Sequence, residues 1–514
     1  STSIEAKEYF SDLDKHLIEY RSNGDTTNSA IQLAFNKTKA NDRKVWLSNY
    51  DKNVKIENNQ KEVFIEDFIN KELIHFSNYD NHRSIPSMID GLKPSQRKII
   101  YSILKKNQKS EIKVAQLSGY VSETSSYHHG ENSLNEAIIN LAQNFVGSNN
   151  INLLEPIGQF GTRLCGGKDY SSPRYIFTHM SKLMTLLFNS NDNALLNYLD
   201  DDGNTIEPEY YVPIIPMILV NGARGIGTGY STHIPSFNPQ QCIDYIKNKL
   251  KDKSNTNIEF KPWYAGFTGT IEPEDETNKR YITKGCYKVL ENGNVEITEL
   301  PIGEWTDHYK EHLEKIMFDS GIKTNKEQVL SAYKNLSSDV SVKFELRFPQ
   351  IILNKIIKKT DKFEKLMKLT STLSMTNLHA YNSDNKINKY ESVNELIEEY
   401  YDTRLNFYKL RKEYLENKLQ RELNLLNAKI RFIYCFMNEE IKIFKKDEEE
   451  IEEQLIILKF PKFNSKVNDK DIAHKRIIDM DGEGNFDYLI NMSIRTLTNK
   501  KMKELEQQRD NKKD

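Results

Sequence analysis

With 514 residues the chain exceeds what one hydrophobic core supports and is expected to divide into three or four units of roughly 100 to 200 residues each. Its 72 Lys and Arg against 74 Asp and Glu leave a formal net charge of -2, so bulk charge neither favours nor excludes a polyanionic partner. The four cysteines, Cys165, Cys242, Cys286 and Cys435, show neither C-x-x-C nor histidine-paired spacing, which argues against a disulfide framework or a zinc site. The longest apolar run, near residues 210–220, is broken by Pro213 and Pro216 and falls short of the roughly 20 residues that span a bilayer.

Residues 1–60 read as a helix over Glu5-Ala6-Lys7-Glu8-Tyr9-Phe10 followed by a polar, Asn-rich connection. Ser1-Thr2-Ser3 carries no basic and apolar leader, so the expected context is a piece of a longer protein. Residues 61–237 alternate Pro and Gly punctuation with short helical patterns and then apolar β-like runs, the pattern of a helix-turn-helix with an attached wing. Lys93-Pro94-Ser95-Gln96-Arg97 reads as a helix start, with Pro94 in the first turn and Ile99, Ile100, Ile103 and Leu104 as its apolar stripe. Arg97 and Lys98 are then expected off the core. Between Arg83 and Lys113 eight cations (Arg83, Lys93, Arg97, Lys98, Lys105, Lys106, Lys109, Lys113) face only Asp90 and Glu111, which suits either a phosphate-binding surface or an ordinary solvated helix face.

A Tyr127-His128-His129-Gly130 turn leads into a second amphipathic run, Leu134–Ala142. Adjacent histidines point in different directions, so one can be structural while the other moves a proton or donates to a phosphate oxygen. The chemistry centres on Gln159–Thr178, where glycines and Pro173 shape an irregular loop and Arg174 immediately precedes Tyr175. A phenol has a pKa of about 10 and attacks poorly at neutral pH unless cations or a base stabilise the phenolate. Arg174 offers a permanent planar cation matched to phosphate oxygens, so the pair points to phosphodiester attack. An Arg-Tyr neighbourhood by itself is more often a packing contact.

Asn221-Gly222-Ala223-Arg224-Gly225-Ile226-Gly227-Thr228-Gly229 lacks the strand, G-x-G-x-x-G, helix and later acidic residue of a dinucleotide site and reads as a tight β loop. Ile226, flanked by glycines, is either an exposed tip or a small buried anchor. Residues 238–390 mix β-like runs such as Phe267–Glu272 and Asn294–Leu300 with helices, a separate α/β unit. Residues 391–514 carry Leu415, Leu419, Leu423, Leu426, Ile430, Ile433 and Met437 at steps of four and three, a coiled-coil seam. Leu497, Met502 and Leu505 could supply a returning antiparallel helix around an irregular, charged tip reaching Asp481.

Four segments in order, Arg83-Ser84-Ile85-Pro86, Asp90-Gly91-Leu92-Lys93-Pro94-Ser95-Gln96-Arg97-Lys98, Tyr127-His128-His129-Gly130 and the Tyr175 loop, closely resemble type IIA DNA topoisomerases of the eukaryotic kind. The resemblance implies an α+β multidomain fold comprising a winged-helix cleavage domain, a tower domain and a long antiparallel coiled coil that ends in a dimer gate. It implies that Tyr175 forms a transient 5'-phosphotyrosine link, that Arg174, His129 and Arg83 stabilise the reacting phosphate, and that Lys93, Arg97 and Lys98 position the DNA backbone. Asp90 would orient one of these cations and Ile226 would wedge between base pairs. Double-stranded DNA, a second copy of the chain and a nuclear setting are implied, or a cytoplasmic one for a large DNA virus. ATP and Mg2+ would serve the full-length enzyme through residues outside this chain. The opening resembles the part following a Toprim metal-binding domain. The Asp-x-Asp pairs at Asp12–Asp14, Asp200–Asp202 and Asp479–Asp481 lack the flanking strand and glutamate of a Toprim site and read as chance clusters. A contrasting reading is a non-enzymatic architectural protein that bends DNA with the wing, Ile226 and a coiled-coil dimer, which would not need the Arg174-Tyr175 loop. The dimer contacts are expected between residues 430 and 490, including Phe432, Phe436 and Leu489.

Overall fold

Pro94 opens a helix, Pro94–Lys106, whose missing N–H costs nothing in the first turn, while the Gln96 side chain accepts from the Lys93 backbone N–H (2.9 Å). Asn107, in the left-handed region at φ 51°, closes it. Its stripe is buried at Ile99, Ile100 and Ile103, and it packs against two further helices, Val114–Thr124 and Glu131–Ala142, which bury Val114, Leu117 and Val121, and Leu134, Ile138 and Ile139. In this computed structural model residues 2–57, 60–251, 258–322, 329–475 and 480–513 are described. They fall into two units, Ser1–Phe188 with Tyr198–Tyr401, and Asn189–Asn197 with Asp402–Asp514.

The first unit opens with the expected helix, Ser3–Ser11, capped reciprocally by Thr2 and Glu5. The stretch read as a polar connection instead carries a short helix, Leu13–His16, and two longer ones, Asp25–Phe35 and Ala40–Ser48. Their small buried residues, Ala30 and Ala34, sit four apart and pack on Ile69, an apolar face too narrow to stand out in an Asn-rich sequence. Between residues 270 and 374 the unit carries two antiparallel sheets. One is four-stranded in the order Cys286–Val289, Val295–Glu299, Phe344–Arg347, Ala332–Asn335, and the other three-stranded in the order Thr370–Ser374, Arg280–Lys284, Thr270–Pro273. Alternate residues Val295 and Ile297, with Phe344 and Leu346, point into one core with Tyr309 and Leu313 of the helix Thr306–Ile322.

The helix Val393–Met437 contributes residues to both units. Asn189–Asn197 belongs with the second unit because Asp192 accepts from Arg404 (2.7 Å) and Arg411 (2.7 and 2.5 Å). A returning helix, Asn499–Lys513, lies antiparallel on the long one: Leu505 packs with Ile430 and Ile433, and Lys512 pairs with Glu422. N-terminal to Glu422 the seam loses this cover and Leu419 is exposed. The tip is more regular than an irregular charged stretch, since helices Glu448–Ile457 and Asp469–His474 form there, the first with Glu450 accepting from the Asp447 N–H and the second with a reciprocal cap between Asn468 and Asp471. It also has its own core of Phe432, Cys435, Ile441, Ile451, Leu455, Phe460, Phe486 and Leu489. Phe432 and Leu489, expected to face a partner, are therefore internal, and Phe436 is half-buried.

Candidate active site

The Gln159–Thr178 loop is an irregular segment tied down at nearly every turn. Asp169 accepts from both the backbone N–H and the hydroxyl of Thr162 (2.8 and 2.6 Å), and the Gln143 amide donates to the Phe160 and Gly167 carbonyls (both 2.9 Å). Gly161 sits at φ 94° with its Cα against Gly167, where a Cβ would collide with backbone. Arg163 is buried against Glu299 (2.5 Å), and Cys165 donates to Asp307 (2.9 Å). That hydrogen bond, burial and the charges of Asp307 and Asp169 push the Cys165 thiol up to about 11, so it is an inert anchor rather than a nucleophile.

The Arg174-Tyr175 pair sits at the end of this clamped loop. The Tyr175 N–H donates to the Ser172 carbonyl (2.9 Å), closing a turn over Pro173 and Arg174. Ala115 and Val114, at the start of the helix Val114–Thr124, donate to the Pro173 and Ile176 carbonyls (3.1 and 3.0 Å), and Ile176 is buried. Phe177 and Thr178 pair with Lys113 and Ile112. Between these fixed neighbours Tyr175 is 71% exposed, and Arg174 is exposed beside it. Among the described residues the Tyr175 hydroxyl has no hydrogen-bond partner, and no hydrogen bond or ion pair joins Tyr175, Arg174, His129 and Arg83 to one another. The phenol is thus held out to solvent on a turn whose backbone is hydrogen-bonded on both sides.

The two histidines take separate partners, as their adjacency requires. Exposed His128 faces Asp201 (3.1 Å), whereas half-buried His129 has its Nε2 2.7 Å from the Tyr79 hydroxyl and the Tyr127 ring edge-on at 5.4 Å. Burial, then the charges of Arg83, His128 and Lys98, hold His129 below the ordinary imidazole pKa, so it is neutral near pH 7. Tyr79 is the site residue that sequence reasoning missed. The available signal was its spacing: on the helix Ile74–Ser84 it lies four residues before Arg83, hence on the same face.

That helix also holds the glycine loop, which forms a hairpin of Ala223–Ile226 and Ser231–Ile234. Asn81 donates to the Thr228 carbonyl and the Thr228 hydroxyl donates to Asp80 (both 2.9 Å). A Cβ on Gly225 would fall on the Ser84 carbonyl oxygen, so only glycine allows the strand this close to the helix end. Ile226 is 74% exposed on the far side, a tip rather than a buried anchor. Lys93 reaches the Arg224 carbonyl (2.8 Å) and braces the same strand, and desolvation lowers its pKa.

Two of the expected DNA contacts, Arg97 and Asp90, are internal, and a third, Lys98, is partly buried and paired. Arg97, expected off the core, is 4% exposed and pairs with Asp90, which is 0% exposed, through Nε (2.8 Å) and Nη2 (3.1 Å), and also donates to the Leu92 carbonyl (2.9 Å). Asp90 further accepts from the backbone N–H groups of Leu92 (2.9 Å) and Tyr211 (3.0 Å), so it does orient a cation, but inside the protein. Lys98 donates to the Ser125 carbonyl (2.6 Å) and to Glu207 (2.9 Å), which fixes the turn leading to His129 instead of leaving the ammonium free. The acidic pairs have local duties: Asp12 caps the helix Leu13–His16, Asp201 faces His128 and Asp481 pairs with Arg421, while Asp479 lies outside the described residues.

Residues 83–514 match the family of the DNA gyrase/topoisomerase IV A-subunit, and residues 1–81 match the C-terminal associated domain of TOPRIM. The chain is 42% identical to DNA topoisomerase 2 of Bombyx mori, over 100% of this chain and 35% of that protein. It is 40% identical to DNA topoisomerase 2-beta of Homo sapiens, over 100% of this chain and 33% of that protein. The crystal structure of the Plasmodium falciparum topoisomerase II DNA-binding, cleavage and re-ligation domain aligns with TM-score 0.82 at 40% identity, covering 100% of this chain and 69% of that one. The chain thus spans about a third of the length of these curated relatives. Its motifs, its mixed helix-and-sheet fold and these matches agree: the chain belongs to the type IIA DNA topoisomerase family.

Proposed function

We propose that this chain is the DNA breakage-reunion part of a homodimeric, ATP-dependent type II topoisomerase that cuts one duplex, passes another through it and reseals the cut, relaxing and decatenating DNA. The observation that carries the reading is Tyr175: a solvent-facing phenol on a turn whose neighbours are all anchored, directly after an exposed arginine. In the reaction the Tyr175 oxygen forms a bond to the scissile phosphorus as the bond from phosphorus to the 3' oxygen breaks. The phenolic proton is lost and the 3' hydroxyl leaves protonated, and the reverse step reseals the strand. Arg174 neutralises the phosphate, and Arg83 with His129 supports charge or proton movement nearby. Ile226 suits a wedge that bends the duplex. Arg97, Lys98 and Asp90 serve by holding the framework.

The proposal keeps four parts: residues 1–60 as the post-Toprim segment, 61–237 as a winged-helix cleavage domain, 238–390 as a tower and 391–514 as coiled coil and dimer gate. The three packed helices between Pro94 and Ala142, the Ala223–Ile234 hairpin and the antiparallel pair around Ile430 support it. Magnesium and ATP are proposed for the longer protein. Among the described residues no group of three or more His, Cys, Asp or Glu side chains converges as a metal-ion site. No described helix is long and apolar enough to cross a membrane, and the nucleus is the proposed compartment. The test is to join this chain to a Toprim and ATPase segment of a relative and assay relaxation of supercoiled plasmid with ATP and magnesium. Relaxation with a covalent protein–DNA intermediate supports the reading. Duplex bending without covalent capture would favour the architectural alternative.

For the dimer, the second unit offers exposed Phe444, Ile456 and Ile457. The Gln454 side chain accepts from the Lys442 N–H (2.9 Å) and donates to its carbonyl (3.2 Å), holding the Phe444 segment against the helix that carries both isoleucines. Apolar groups so displayed beside an intact core suit a two-fold contact. Ile457→Asp is expected to weaken self-association by roughly tenfold or more in sedimentation, the scale of losing one well-buried anchor at an interface. An unchanged association constant would remove this face from the gate.

A further inference from the structure

The helix Ile74–Ser84 touches each element of the site except the Tyr175 turn. Asp80 and Asn81 hold the Ile226 hairpin, Arg83 sits where its charge disfavours protonation of His129, and Tyr79 reaches His129 directly. The last contact carries chemical information. A neutral imidazole has one N–H and one lone pair, and the hydrogen bond made by one nitrogen decides which of them the other presents. At 2.7 Å from Nε2 the Tyr79 hydroxyl can donate or accept. A phenol is the more acidic partner and an imidazole nitrogen the better base, so the O–H donates to the Nε2 lone pair.

We propose that Tyr79 is a positioning residue for the cleavage reaction: by donating to Nε2 it holds His129 as the Nδ1–H tautomer, with that N–H as the donor offered to a phosphate oxygen or to the leaving 3' oxygen. Three neighbours limit the ring's other choices. Tyr127 packs edge-on against it, the Tyr79 ring lies tilted at 6.0 Å, and the Lys98 ammonium fixes the turn just before it through Ser125. Tyr79 is half-exposed and contributes little to the core, so its removal tests the hydrogen bond more than the fold. The inference rests on the functional role given to His129, and the experiment separates the two.

Histidine-selective 15N labelling of this chain gives 11 imidazole systems, with His129 assigned by its loss in His129→Ala. At about pH 8, where the ring is neutral, the parent is expected to show His129 as the Nδ1–H tautomer, and Tyr79→Phe to shift it towards Nε2–H. In the longer protein Tyr79→Phe is expected to slow plasmid cleavage roughly tenfold at unchanged duplex affinity, the scale seen when a hydrogen-bond partner that orients a functional histidine is removed. A tautomer unaltered by Tyr79→Phe overturns the proposal, as does a shifted tautomer with undiminished cleavage. If the tautomer shifts but His129→Ala itself cleaves normally, the role assigned to His129 has failed and the proposal falls with it, although the hydrogen bond stands.

Discussion

Tyr175→Phe in the full-length protein is expected to abolish covalent capture of cleaved DNA, a loss on the order of 10⁴-fold or more, comparable to deleting an enzymatic nucleophile elsewhere. Duplex affinity should stay within about twofold, because the change removes one exposed oxygen and surface substitutions of that kind usually stay within about 0.5 kcal/mol. The structure makes this a clean substitution. The Tyr175 hydroxyl has no partner among the described residues, while the turn is held through backbone groups at Ser172, Ala115 and Val114 that the mutation does not touch. Detergent trapping on labelled plasmid, beside a binding isotherm at fixed salt, measures both arms. A persistent adduct in the Phe variant would show that another group attacks the phosphate. Loss of binding together with cleavage would mean that the phenol holds DNA rather than cutting it.

What the sequence disclosed and what it hid divide along a physical line. The exposure of Tyr175 and Ile226 was legible because glycine and proline around them report irregular surface loops, and both side chains are exposed. The antiparallel helix pair was legible because a repeat of four and three reports a helix face, as Leu426, Ile430 and Ile433 with Leu505 illustrate. Arg97 was hidden by its charge. It lies three residues before Ile100 and four before Tyr101, on the buried face, but an arginine there is taken for surface unless its partners are known. Those partners are Asp90, seven residues earlier in a different local structure, and through it the Tyr211 backbone, 121 residues beyond Asp90. Phe432 and Leu489 were misread for the mirror-image reason. Large apolar side chains near a helix tip look like an interface until the tip is known to enclose a core of its own.

The Arg97–Asp90 pair supplies the second large effect, and it is one of stability. Arg97→Ala leaves a carboxylate that is 0% exposed with, among the described residues, the Leu92 and Tyr211 N–H groups to hold it. Breaking a buried pair from one side costs about 3–5 kcal/mol, because the remaining charge stays desolvated. All three tryptophans, Trp46, Trp263 and Trp305, lie in the first unit, so their fluorescence during denaturant unfolding reports on that unit. The midpoint is expected to fall sharply in Arg97→Ala. The Arg97→Met, Asp90→Leu double variant should lose less than the sum of its single changes, since it removes both charges together. A surface phosphate contact would behave otherwise: the unfolding midpoint would hold and the salt slope of duplex binding would flatten by about 0.9. That pattern would place Arg97 on the DNA and not under it.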